Sequence, residues 1–205
     1  MDIPKPLVVV KGKPIISHQI EYLFSVGIDR IILSLGHEAQ RIMAFIQHKY
    51  PSSEIAFSVE DQPLGTAGAV KKALHLAESD QVLVLNCDDI TDINPAALES
   101  YAEHIICLAH PKLPFGRVLL QGDYVLKFDE KPVLDDWTSC GWYLFQRAQM
   151  LDALPDVGSL EVDVFPKLRL RGYKHEGFWK PLNTPKDVLE FEAMGSPVLA
   201  TTQHS

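Results

Sequence analysis

The chain has 205 residues and a formal charge of −8, from 27 acidic and 19 basic side chains. That length suits one α/β domain with a sizeable core, and the acidic balance argues against nucleic acid as the main partner. Cys87, Cys107 and Cys140 form no CxxC pair, the histidines form no HExxH, and no apolar run approaches about 20 residues, so a disulfide framework, a zinc site and a membrane span are all excluded and a reduced, cytoplasmic setting is predicted.

Apolar positions Ile16, Ile20, Leu23 and Phe24 recur at helical spacing, and Gly27 stops that helix. Asp29 to Leu35 reads as a strand, Glu38 to Tyr50 as a helix ended by Pro51, and Glu54 to Val59 as an alternating strand. Thr66 to Ala77 is helical. The run Gln81-Val82-Leu83-Val84-Leu85 then reads as a strand buried on both faces, followed by Asn86, Cys87, Asp88 and Asp89. A helix over 95–104 and a strand over 105–109 complete an alternation that predicts a doubly wound, mostly parallel sheet.

After about residue 110 the rhythm changes. Arg117 to Leu120 and Tyr124 to Phe128 flank a Gln121-Gly122-Asp123 turn, and Trp142 to Phe145 is a further strand. A helix is expected over 160–170 and a strand over 173–179. Thr184-Pro185-Lys186-Asp187 is a helix start with cap, proline and acid in sequence. The expected organisation is one domain over 1–195, a first lobe to residue 110 and a small mixed β lobe from 111, with a mobile tail over 196–205.

Several segments bear chemistry. In open α/β sheets ligands bind at the carboxyl ends of strands, so Asp88 and Asp89 are candidates to hold a hard cation such as magnesium beside a phosphate. An acidic turn is the competing reading. Pro63-Leu64-Gly65-Thr66-Ala67-Gly68-Ala69 joins a strand to a helix; its small residues admit a flat ligand or a phosphate, or serve only as a turn. Phe128-Asp129-Glu130-Lys131-Pro132 holds a lysine against a proline, which suits a phosphate oxygen or simply a solvated turn. Pro4-Lys5-Pro6 and Gly12-Lys13-Pro14 place two more lysines in proline-stiffened turns, and Asn183 precedes the capped helix.

In this order the segments PKPLVVVKGKP, PLGTAGAV, LVLNCDD, FGRVLL, FDEKP, SCGWYLF, SLEVDVFPKL and GFWKPLNTPKD resemble the sugar-1-phosphate nucleotidyltransferases, whose fold is Rossmann-like. The resemblance implies transfer of a nucleotidyl group from an NTP to a sugar 1-phosphate, releasing pyrophosphate. It implies that Gly65, Thr66, Ala67 and Gly68 sit against the nucleobase and that Asp88 binds Mg2+. Lys131 would bind the sugar phosphate and Lys5 another phosphate, with Gly116, Glu130, Gly141 and Glu161 around the sugar. Asp89 would be a bystander. The partners implied are the two substrates and no membrane or nucleic acid, and the resemblance also admits a homo-oligomer.

Two departures qualify it. The family opens with a strand and a GxGTR loop ahead of its PKP segment, whereas this sequence starts at Met1-Asp2-Ile3. That strand is central, so a gap or two open edges are expected in the sheet. A start lying upstream by about 20 residues, or a truncated relative that only binds nucleotide sugars, would each account for the difference. The family's second metal-binding acid also falls at Pro181, leaving Asn183, a neutral oxygen, as the second metal ligand.

Overall fold

The computed structural model describes residues 3–195; the expected tail over 196–205 lies outside the described residues. A short ladder of β1 (Val9–Val10) and β2 (Lys13–Pro14) turns over Lys11 and Gly12, both at positive φ. Helix α1 (Ile15–Ser25) follows, burying Ile16, Ile20 and Leu23 as its spacing predicts, together with Ile15, while Phe24 is half-buried. Next come β3 (Arg30–Leu35), α2 (Ala39–Lys49), β4 (Glu54–Val59), α3 (Gly65–Leu74) and β5 (Gln81–Leu85). Strand and helix alternate as expected, and β3 pairs with β4 in parallel.

The remaining strands are β6 (Asp89–Thr91), β7 (His104–Ala109), β8 (Arg117–Gln121), β9 (Tyr124–Asp129), β10 (Thr138–Gln146), β11 (Leu170–Lys174) and β12 (Trp179–Pro181), with helices α4 (Arg147–Ala153) and α5 (Pro185–Ala193). The main sheet runs β11-β7-β10-β5, with β11 parallel to β7 and β10 antiparallel to both its neighbours. It is therefore more mixed than the alternation suggested. Strand β10 follows the β8–β9 hairpin and not a crossover helix, so nothing forces it to run parallel.

Strand β5 is packed on both faces. Leu83 and Leu85 join the cluster containing Ile31, Leu35 and Trp142, while Val82 and Val84 join the one containing Leu74, Tyr143 and Phe145. Yet among the described residues β5 is paired only with β10, and β3 only with β4. Among the described residues each of these two strands therefore keeps one edge without a ladder partner, as the expectation of open edges had it. The β5 side chains touch apolar partners on both faces but all five residues are only half-buried, less than the expected burial on both faces, in keeping with an edge strand.

Other expectations required correction. The helix expected over 95–104 is only a 3-10 turn, Pro95–Ala97, capped by the Asn94 side chain accepting from Ala96 N at 3.1 Å. Buried Leu98 and Ile105 mimic helical spacing, but Ile105 and Cys107 alternate into β7. The helix expected over 160–170 is a π turn, Leu160–Val164, followed by a 3-10 turn, Phe165–Lys167, because Pro166 removes a donor and blocks continuation. The strand expected over 173–179 divides into β11 and β12. Between them Asp92 Oδ1 accepts from Phe178 N at 2.8 Å and from His175 Nε2 at 2.7 Å, which turns the chain. Among the described residues no helix is long and apolar enough to cross a membrane.

Two histidines sit in this core. His18 Nε2 lies 2.8 Å from Val10 O, and His104 Nδ1 accepts from Gln146 N at 3.2 Å; burial pushes both below the usual imidazole value. The unfolded chain therefore takes up protons that the folded chain refuses as pH falls below about 6.5. Stability should be lower at pH 5.5 than at pH 7.5 in urea titrations, and His104→Asn should shrink the difference. An unchanged difference in that variant would show that His104 does not contribute.

Candidate active site

Strand β5 ends by delivering Asn86 to Asp89 to the rim of the sheet. Asn86 N donates to Gly141 O at 2.9 Å, continuing the β5–β10 ladder one step beyond the strand. The chain then enters β6, which pairs antiparallel with β12 in the register Trp179↔Thr91, Lys180↔Ile90 and Pro181↔Asp89. Leu182 N donates to Asp88 O at 2.8 Å, so Asp88 and Asn183 are brought beside each other from positions 95 residues apart. Asn183 is fixed from its other side by the start of α5. There the Thr184 side chain accepts from Asp187 N at 3.2 Å and Asp187 Oδ2 accepts from Thr184 N at 2.8 Å, a complete capping box.

Lys5 completes the cluster. Pro4 and Pro6 flank it in a 3-10 turn closed by Leu7 N donating to Pro4 O at 2.8 Å, which sets the direction of the lysine stem. Its ammonium forms an ion pair with Asp88 Oδ2 and donates to Asn183 Oδ1 at 3.3 Å. A cation thus sits between one carboxylate and one amide oxygen. These are hard oxygen donors of the kind magnesium takes, and a short protein ligand set is usual for it because phosphates and water complete its shell. The donor set therefore fits such an ion, with the Lys5 ammonium as its stand-in.

Asp89 lies deeper. It is 8% exposed, and its carboxylate accepts from Trp179 Nε1 at 2.9 Å and Asn86 Nδ2 at 3.1 Å. Burial pushes its carboxyl above the usual range, opposed by those two hydrogen bonds. The room for it comes from Gly141. This glycine sits at φ +75° in an irregularity of β10 between Ser139 and Tyr143, and a Cβ there would overlap Asp89 Oδ2 and lie 2.7 Å from Asn86 Nδ2. At Cys87, between Asn86 and Asp88, burial first and the neighbouring Asp88 charge second push the thiol up to about 12, which disfavours the thiolate. Asn86, Asp88, Asp89, Gly141, Tyr143 and Asn183 all line one open cavity of about 390 Å³.

The fold therefore brings together Lys5, Asp88 and Asn183, and adds Gly141, which the sequence grouped with the sugar-side residues. Asp89, read there as a bystander, belongs to the same cavity; the doubled acid at a strand end was the signal, and only the β6–β12 register shows where it points. The other named residues form two separate groups. Thr66 Oγ1 accepts from Leu160 N at 2.8 Å and donates to Glu161 Oε2 at 3.1 Å, tying the start of α3 to the π turn. Gly65 and Gly68 back onto the backbone carbonyls of Gly158 and Asp156, where any Cβ would overlap, so their smallness serves packing; Ala67 is fully buried between them. Gly116 lies under the Phe128 ring at the base of the β8–β9 hairpin, and Lys131, at φ +46°, pairs with Glu130 at 3.3 Å. None of these lines the cavity around Asp88.

A split α/β sheet with an acid and a lysine paired beyond the carboxyl end of a strand has its ligand-binding position at that end. Residues 1–188 match the family model described as nucleotidyl transferase, and the chain belongs to that family. A mannose-1-phosphate guanyltransferase of Yarrowia lipolytica is 33% identical over 211 residues, covering 92% of this chain and 57% of that protein. A protein of the same name from Hypocrea jecorina is 30% identical over 210 residues with the same coverage. The chain thus spans little more than half the length of these relatives. Among solved structures, HddC from Yersinia pseudotuberculosis complexed with GMP-PN aligns with a TM-score of 0.78 at 28% identity, covering 94% of this chain and 90% of that one.

The Gly141 geometry makes a direct prediction. Gly141→Ala combines a strained positive φ with overlap onto Asp89, and should destabilise the fold by about 2 kcal/mol or more. Thermal denaturation of the variant checks this, and a melting temperature equal to the parent's would contradict it.

Proposed function

We propose that this chain transfers a nucleotidyl group from a nucleoside triphosphate to a sugar 1-phosphate, forming a nucleotide sugar and releasing pyrophosphate. The carrying observation is the Lys5–Asp88–Asn183 cluster at the carboxyl end of β5, where a triphosphate would be met. An oxygen of the sugar phosphate attacks the α-phosphorus, and the bond from that phosphorus to the bridging β-phosphate oxygen breaks. The attacking oxygen is already anionic, so no general base is required. The protein's part is positioning and charge neutralisation.

Magnesium, held by Asp88 and Asn183, would supply Lewis-acid stabilisation of the phosphate charge when bound. Lys5 neutralises phosphate oxygens beside it, and Lys131 holds the sugar phosphate. Gly65 to Gly68 would border the nucleobase, while Gly116, Glu130, Gly141 and Glu161 surround the sugar. In this reading residues 1–110 carry the nucleotide and 111–195 the sugar, in a cytoplasmic protein. The relatives' names favour a guanine nucleotide and a manno-configured sugar 1-phosphate as first choices. Because those relatives are named for catalysis, turnover is favoured over a silent binding protein.

Incubation with GTP, mannose 1-phosphate and magnesium should release pyrophosphate, and chelation should stop it. Asp88→Ala should lower kcat/KM about 100-fold or more while the protein stays folded. Absence of pyrophosphate with every nucleoside triphosphate and sugar 1-phosphate tried would reject the reading.

A further inference from the structure

We infer that Lys5 is a displaceable internal cation, which blocks the Asp88 site against a divalent ion arriving alone and yields it to one arriving with a polyphosphate. The inference rests on the Asp88 metal role proposed above. Its basis is geometric. The Lys5 ammonium contacts both oxygens that a divalent ion would need, Asp88 Oδ2 and Asn183 Oδ1. An ammonium and a divalent ion cannot share them, because like charges that close repel and only two lone-pair directions face the same point.

The pairing is not a buried structural bridge. The Lys5 side chain is 43% exposed and that of Asp88 19%, so breaking it returns the ammonium to water at small cost. The backbone of the lysine is fixed by its two prolines, whereas its four-carbon stem is free to turn. Displacement therefore moves the charge without unfolding the turn. A bare divalent ion gains Asp88 but leaves Lys5 facing a surplus of positive charge. A divalent ion carrying a polyphosphate brings the anion that the freed ammonium can then neutralise, so the two ligands favour each other's binding. Asp89 lies deeper than this pair, at 8% exposure, with its oxygens accepting hydrogen bonds from Trp179 and Asn86.

The test compares the parent with Lys5→Met, which keeps the stem and loses the charge, using manganese alone by paramagnetic titration. Manganese should bind Lys5→Met on the order of tenfold tighter than the parent. With saturating magnesium, inorganic tripolyphosphate should bind the same variant on the order of tenfold more weakly, read by calorimetry. Lys5→Arg should stay near the parent in the manganese measurement, and Lys5→Gln, which also removes the charge, stands in if the methionine variant does not fold. Manganese affinity unchanged or reduced in Lys5→Met, or a parental value not restored in Lys5→Arg, would overturn the inference. Unchanged tripolyphosphate affinity would equally overturn the second half of the exchange. None of these readouts needs turnover, so a chain that released no pyrophosphate would sink the proposed activity while leaving this exchange standing or falling on its own.

Discussion

The three-residue ladder between Asp89–Thr91 and Trp179–Pro181 is the constraint on which the site depends. Without it, Asp88 would end a strand in solvent and Asn183 would lie in an unrelated helix entry. The ladder sets Trp179 where its indole N–H reaches Asp89, and it carries the chain on to Leu182, whose amide closes onto Asp88 O. It also seats Leu182 and, through α5, Phe191 in a small core with Val10, Ile15 and Ile90. That core anchors the segment around β1 and β2 which follows Lys5. Three distant parts of the sequence thus meet because a very short strand pair is backed by apolar burial.

The same economy appears at the second group of residues. The loop around Gly158 fits against α3 only because Gly65 and Gly68 lack side chains, and its carbonyl accepts from Ala67 N at 2.9 Å. Thr66 and Glu161 are locked together by that fit. A motif that reads as ligand-facing in sequence is, in the folded chain, first a joint between a helix and a loop. Any ligand would use what the joint leaves exposed.

Much of this was legible in the sequence. Period-2 alternation marked β4, the continuous apolar run marked β5, and the Thr-Pro-Lys-Asp start of α5 gave its cap residue correctly. Lys5, Asp88 and Asn183 were legible as phosphate and metal candidates and Gly141 as a sugar-side one, because motif order reflects a shared architecture; that Gly141 lines the same cavity as Asp88 and Asn183 was not. What stayed hidden depends on long-range pairing. The β6–β12 register cannot be read from three residues of either strand, so the placement of Asp89 was missed. Helical spacing at 95–104 and 160–170 failed where buried anchors and Pro166 overrode local preference. Strand β10 gave too little signal for its full length, since its irregularity around Gly141 breaks the alternation.

Because no ladder joins the β3–β4 pair to the main sheet among the described residues, α3 carries part of the connection between them. That helix binds the β3–β4 side through Lys72 Nζ donating to Val59 O, and through Leu64 N, just ahead of it, donating to Glu60 Oε2 at 3.1 Å. It binds the main-sheet side through Arg147 Nε donating to Leu74 O at 2.9 Å and through the Gly158 contact. Where a continuous ladder would resist sliding along its whole length, these few bonds across ten residues act as a splint. Directional resistance to sliding between the two sheets therefore runs through this helix, beside the apolar cluster that also joins them, and the turn at its head is where such a load would be felt.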